Sequence, residues 1–266
     1  EPIFGGCCWA GTIVWAAAQA VMEHVLFPER ERVQGASVIE LGCGLGAPGM
    51  VAALLGARDV LLTEQSSLLP LLHRNIARNF PAAGEGAVAA PGAQELAWGN
   101  SQVRDLIDSR RGETFDLILV CDCVFEPLYG ESWVLLCETL RHLAVDESTT
   151  LVVGLERRSE DGVPKFLAEL GKDFDLKLVW TSFQDEELEN LLQASHISSE
   201  AKPLQVYTAV RRRRAGDVPS VAAGPPPSTG CATEGSVPPA SAAQQSASST
   251  ELAPATATST KEGGST

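Results

Sequence analysis

Short apolar runs and stretches of helical spacing alternate along most of the chain. This pattern predicts a mostly parallel sheet covered by helices on both faces. Residues 12–26 read as a first helix, opened by Gly11 and closed by Pro28. Ser37-Val-Ile-Glu-Leu41 is a first strand, followed by the string Gly42-Cys-Gly-Leu-Gly-Ala-Pro-Gly49 and an Ala/Leu-rich helix that stops near Gly56. Pro48 suits a first helical turn, where its missing N–H costs nothing. A second strand is expected at 60–63, and a helix at 66–80 sets Leu68, Leu69, Leu72, Ile76 and Phe80 on one face. A short third strand is expected at 87–90, then a loop carrying Leu96-Ala-Trp98-Gly99 and a polar helix near 101–110. The near-continuous apolar run 115–122 reads as a central parallel strand. Helix 131–143, strand 149–156, helix 163–171, strand 176–180, helix 185–194 and strand 204–211 complete the series.

Composition changes the picture at the C-terminus. Of the 52 residues from 215 onward, 40 are Ala, Pro, Ser, Thr or Gly and none is aromatic, so this segment is predicted to be a disordered tail. Residues 1–214 hold all five Trp, both Tyr and all eight Phe, enough for one folded domain. The domain carries 19 Lys and Arg against 30 Asp and Glu, net −11, and the tail is net −3, together the −14 of the whole chain. Such a balance argues against nucleic acid as a partner and suits a cationic one. Glu186, Glu187 and Glu189 add an acidic patch on a late helix, and Arg211 to Arg214 form a basic cluster read as a solvated domain end.

The seven cysteines, Cys7, Cys8, Cys43, Cys121, Cys123, Cys137 and Cys231, are odd in number and include no CxxC pair, so neither a disulfide framework nor a zinc site is indicated. A reducing, cytoplasmic setting is the expectation. There is no run of 18 apolar residues and no charged-then-apolar leader, which argues against a membrane span or a signal peptide. The histidines, His24, His73, His142 and His196, neighbour no motif and receive no catalytic role.

In open α/β sheets, ligands bind beyond the carboxyl ends of the strands where the strand order reverses. Gly42, Gly44 and Gly46 follow the first strand and remove the Cβ atoms that would block a ligand's approach to backbone N–H groups. This string also fits a dinucleotide pattern loosely. Glu40 and Glu64 favour S-adenosylmethionine instead. Glu40, two residues before the first glycine, suits a cationic ligand end better than a pyrophosphate, and Glu64, after the second strand, offers two acceptor oxygens to ribose hydroxyls. The plainer alternatives are a helix-capping acid for Glu40 and a solvated strand end for Glu64. Trp98 can pack on a flat adenine or simply in the core. Asp122-Cys-Val-Phe125 places a carboxylate and an aromatic ring at the mouth of the site, although a lone Asp at a strand end is often only a loop start. Glu156-Arg-Arg158, after the fifth strand, reads as a salt-bridged surface or as the border of a substrate channel.

Taken in order, Gly11-Thr-Ile-Val-Trp15-Ala, Val38 through Gly49, Asn75-Ile76, Glu95-Leu-Ala-Trp-Gly99 and Asp122-Cys-Val-Phe125 resemble the seven-β-strand protein lysine methyltransferases of the methyltransferase-like 21 type, also called methyltransferase family 16. The resemblance covers about residues 9–211. It implies a Rossmann-like class I methyltransferase fold with strand order 3-2-1-4-5-7-6 and the last strand antiparallel. It also implies S-adenosylmethionine as cofactor and methyl transfer to a lysine side chain of a protein, by a chain expected to act as a monomer. Trp15, the glycines, Glu64 and Trp98 match cofactor positions, while Asp122 and Phe125 match the family's D-x-x-Y/F motif, which implies a catalytic place for both and a cofactor contact for Asp122 as well. Phe125 replaces the commoner Tyr, and Glu64 the commoner Asp. A small-molecule methyltransferase and a non-catalytic interaction module retaining a cofactor pocket are the competing expectations. A nicotinamide-dependent oxidoreductase is disfavoured by Glu40 and by the lack of an obvious Tyr-x-x-x-Lys.

Overall fold

The run that begins at Ser37 forms an interior strand, buried on both faces. In the computed structural model, which describes residues 10–81, 88–99, 101–184 and 203–213, β1 (Ser37–Leu41) is buried along its whole length. It lies between β2 (Asp59–Glu64) and β4 (Leu117–Cys121), both parallel to it, with Glu40 beside Leu62 on one side and Leu119 on the other. Successive side chains point to opposite faces. Ile39 and Leu41 join Ile118 and Val120 in one apolar cluster, and Val38 joins Leu117 and Leu119 in the other. The first cluster is closed by α5 (Ser101–Ser109), α7 (Trp133–Leu143) and α8 (Val163–Leu170). The second is closed by α1 (Ala16–Val21), α3 (Ala47–Leu54) and α4 (Leu69–Asn79).

With β3 (Gly92–Glu95), β5 (Thr150–Glu156), β6 (Phe174–Thr181) and β7 (Leu204–Arg211), the sheet has seven strands in the order β3-β2-β1-β4-β5-β7-β6. The first five run parallel, and β7 is antiparallel to both its neighbours. This is the expected 3-2-1-4-5-7-6 arrangement. The order reverses between β1 and β4, so the crevice beyond their carboxyl ends is where a ligand belongs.

Three local differences have physical reasons. The expected third strand at 87–90 is displaced: residues 88–90 are not strand, and β3 pairs instead through Gly92 to Glu95 opposite Leu61 to Glu64. An edge strand of sequence GAQE has no apolar alternation to announce it. The helix expected at 12–26 begins only at Ala16 and continues past Val21 as a π-helical turn, Met22–Leu26. Residues 10–12 form a separate 3₁₀ turn, tied down where the Trp15 indole Nε1 donates to the Ala10 carbonyl at 2.8 Å. Two single-turn helices, α2 (Arg30–Val33) and α6 (Glu126–Tyr129), are too short for periodicity to reveal.

The chain divides into two units, Glu1–Asp217 and Val218–Thr266. All described residues fall in the first. The helix expected at 185–194 with its acidic patch, and the tail 215–266, lie outside the described residues.

Candidate active site

Beyond the carboxyl end of β1 the backbone turns through three left-handed glycines, Gly42 (φ 60°), Gly44 (φ 54°) and Gly46 (φ 74°). Side chains are also excluded there by space. A Cβ on Gly42 would lie 2.9 Å from Cys123 Sγ and 3.1 Å from the Trp98 ring, and one on Gly44 would lie 3.1 Å from the Gly11 carbonyl oxygen. The glycines thus let the loop lie against the 10–12 turn on one side and the Trp98 loop on the other.

Two buried carboxylates hold this loop in shape. Glu64 Oε2 accepts the Gly44 N–H and Oε1 accepts the Gln65 N–H, each at 2.8 Å. Glu40 Oε2 accepts the N–H of Gly49, in the first turn of α3, also at 2.8 Å. The capping alternative for Glu40 is therefore real chemistry here. It is compatible with a ligand role, because both acids also line one cavity over the loop. Burial raises the Glu40 carboxyl to about 8, against the Gly49 hydrogen bond and with a further push from the Glu64 charge. Burial likewise raises Glu64, and its two backbone N–H partners oppose the shift. Asn75 of α4 is a further support: its Nδ2 donates to the Leu45 carbonyl at 2.6 Å, which gives the Asn of the Asn75-Ile76 motif a loop-holding task.

The cavity has a volume of about 590 Å³. Trp15, Glu40, Gly42, Gly44, Glu64, Trp98 and Asp122 all line it, so residues far apart in the sequence meet at one site. Gly46 and Phe125 are not on its wall. Gly46 faces Leu62 and Leu72 and sets the left-handed start of α3. Phe125 precedes α6, with the guanidinium of Arg158 over its ring. Exposed Ile13, Val14 and Leu135 give the cavity an apolar rim.

Asp122 lines the cavity just beyond the end of β4. It is a non-glycine residue at φ 55°, an uncommon conformation that the surroundings must hold. Its N–H donates to the Gly154 carbonyl at 2.8 Å, and its Oδ1 accepts the Glu156 N–H at 3.3 Å. The Arg158 guanidinium completes the clasp. Cys43, Cys121 and Cys123 also line the cavity, and sequence reasoning did not place them there. Burial pushes all three thiols well above their ordinary range, so none is a thiolate nucleophile at neutral pH.

The family profile described as lysine methyltransferase matches residues 6–173. The chain is 34% identical over 169 residues to protein N-lysine methyltransferase METTL21A of Danio rerio, spanning 63% of this chain and 70% of that protein. It is 32% identical over 198 residues to EEF1A lysine methyltransferase 3 of Mus musculus, spanning 73% and 75%. It is also 39% identical over 132 residues to secreted RxLR effector protein 48 of Plasmopara viticola, spanning 48% and 67%. A seven-stranded sheet of this order, a glycine cradle at its reversal point and these matches lead to one conclusion: the chain belongs to the lysine methyltransferase family.

Proposed function

We propose that the cavity binds S-adenosylmethionine along the β1 and β2 ends and presents a protein lysine to it beside Asp122. The observation that carries this reading is the cavity's two-sided chemistry. A glycine cradle with two buried acids lines it at the ends of β1 and β2, and the Asp122 carboxylate lines it after β4, on the other side of β1. The donor's parts fit the first side. Glu40 is placed for the ammonium group, Glu64 for the ribose hydroxyls and Trp98 for the adenine face, while Gly42 and Gly44 leave room for close backbone approach. When bound, the donor supplies an electrophilic methyl group.

The chain's own work concerns the amine. A solvated lysine, with a pKa near 10.4, is almost wholly protonated at pH 7, whereas attack needs the neutral lone pair. Trp15 on the wall and Phe125 just beyond it desolvate the approaching side chain, which lowers its pKa. Asp122 orients the amine, and water removes the proton. Orientation of this kind is worth orders of magnitude in rate. The apolar rim of Ile13, Val14 and Leu135 suits a macromolecular substrate. The same reading has residues 1–214 acting as the catalytic unit, as a monomer on protein rather than nucleic acid. It places the chain in the cytoplasm, supported by the free thiols of Cys43, Cys121, Cys123 and Cys137.

Asp122→Ala tests the division of labour. Calorimetry should find S-adenosylhomocysteine affinity within about threefold of the parent, while methyl transfer to protein falls at least tenfold, the low end for lost orientation. Transfer at the parental rate would remove Asp122 from the mechanism.

A further inference from the structure

Two residues beyond the end of β5, Arg158 reaches back to the mouth of the cavity. Its Nη1 donates to Asp122 Oδ1 at 3.0 Å and its Nη2 to Asp122 Oδ2 at 2.6 Å, a two-pronged pair. The guanidinium carbon stands 5.0 Å from the Phe125 ring centroid and 5.4 Å from that of Trp15. The Asp122 side chain is only 3% exposed and that of Arg158 19%. Burying such a pair has a desolvation cost that well-packed apolar groups would avoid, so its place among the site residues calls for a reason.

Asp122 itself poses the problem that Arg158 solves. A carboxylate within about 4–6 Å of an amine favours the charged form and raises its pKa by roughly 1–3 units. That would hold the substrate lysine as the unreactive ammonium. The surrounding charges do not relieve it. Glu156 Oε2 is 3.3 Å from Arg158 Nη2, and Asp161 is paired with Arg157 at 2.9 Å. On the cavity side stand Glu40, Glu64 and the neutral thiols of Cys121 and Cys123. Trp15 and Phe125 bring no charge. At the β5 end, three carboxylates therefore face two guanidinium groups.

Resting on the lysine-methylation reading above, we propose that Arg158 is a positioning residue for the reaction, cancelling the Asp122 charge where the substrate amine arrives. Asp122 can then orient the amine without retaining its proton. Oδ1 takes two donors and Oδ2 takes one, so Oδ2 keeps an acceptor site for an amine N–H. The ammonium gives one proton to water, and the freed electron pair stays on the lysine nitrogen.

The test uses the full chain, labelled S-adenosylmethionine and a heat-inactivated cell extract as the acceptor. The rate of N-methyl-lysine formation, read after acid hydrolysis, is followed from pH 6.5 to 10. Arg158→Gln should move the rising limb upward by about one pH unit or more, with a rate about tenfold lower on that limb. Asp122→Asn, which leaves the guanidinium opposed by Glu156 but no longer by Asp122, should move it downward. The double variant, with both charges gone, should bring it back to the parental position, and Arg158→Lys should hold it there. Calorimetric affinity for S-adenosylhomocysteine should stay within about threefold in Arg158→Gln and Arg158→Lys, since Arg158 is not on the cavity wall. This series remains decisive through Asp122→Asn and Arg158→Lys if Arg158→Gln does not fold. A limb that stays put in the single charge variants overturns the inference. So does a faster neutral-pH rate in Arg158→Gln, which would make the guanidinium a competitor for the amine's seat. Label confined to residues other than lysine in the parent would instead overturn the lysine-methylation reading itself.

Discussion

Replacing Glu40 by glutamine should stabilise the ligand-free protein, and increasingly so as the pH rises. Glu40 is 1% exposed, and burial lifts its carboxyl from an ordinary 4.5 to about 8. Between those values the folded protein holds a proton that the unfolded chain has released, so stability falls as pH increases. From pH 5.5 to 7.5 this amounts to about 3 kcal/mol, at 1.36 kcal/mol per pH unit. A glutamine side chain in its place cannot ionise, yet the amide oxygen can still accept the Gly49 N–H. The gap in melting temperature between Glu40→Gln and the parent should therefore widen by roughly 5–12 °C over that range, at 2–4 °C per kcal/mol for a domain of this size. Calorimetric unfolding of both proteins without methyl donor, at several pH values, provides the measurement. Using the difference between the two proteins removes the contributions of the other titrating groups. Parallel pH curves would refute the reasoning, because they would mean that Glu40 is no more protonated in the fold than in the unfolded chain.

Four further outcomes are expected. S-adenosylhomocysteine, whose ammonium end needs Glu40 ionised, should bind more tightly as pH rises from 6.5 to 8, with proton release detectable by calorimetry in buffers of different ionisation enthalpy. Flat affinity without proton release would separate Glu40 from the ligand. Glu64→Ala should weaken that ligand by about 1.5–3 kcal/mol, the range for hydrogen bonds to a charged group, with a further loss from freeing the Gly44 N–H; titration calorimetry reads it directly. Gly44→Ala, at φ 54° and facing the Gly11 carbonyl, should lower stability by about 1–3 kcal/mol and reduce ligand affinity, as chemical denaturation and titration would record. Removing residues 215–266 should leave melting temperature and ligand affinity nearly unchanged, since their composition offers little apolar surface to bury; a loss of several degrees would show that the tail docks on the domain.

Much of the fold is legible in the sequence because its central strands are buried on both faces. The run at 37–41 coincides with β1 and the run at 149–156 covers β5, both buried along their whole length, so that apolar content marks the element. The edge strand β3 lies away from its expected place because its four residues are partly exposed and carry no pattern. At the site, Glu40, Gly42, Gly44, Glu64, Trp98 and Asp122 can be located because each lies at the end of a strand or in its own motif. The partner of Asp122 cannot. Arg158 sits 36 positions away, and only the adjacency of β4 and β5 brings the two together. A charged dipeptide after a strand has the same sequence appearance whether it faces solvent or closes on an active-site carboxylate.

Methyl transfer to a lysine side chain is the reaction on which everything above depends, and amino-acid analysis of labelled protein probes it without intermediaries. The purified chain is incubated with S-adenosylmethionine labelled in its methyl group and with a heat-inactivated extract, and the protein fraction is hydrolysed in acid. Label is expected in N-methylated lysine, and it should be at least tenfold weaker when Asp122→Ala replaces the parent, the low end for lost orientation. Label in the small-molecule fraction alone, or in protein residues other than lysine, would contradict that reaction.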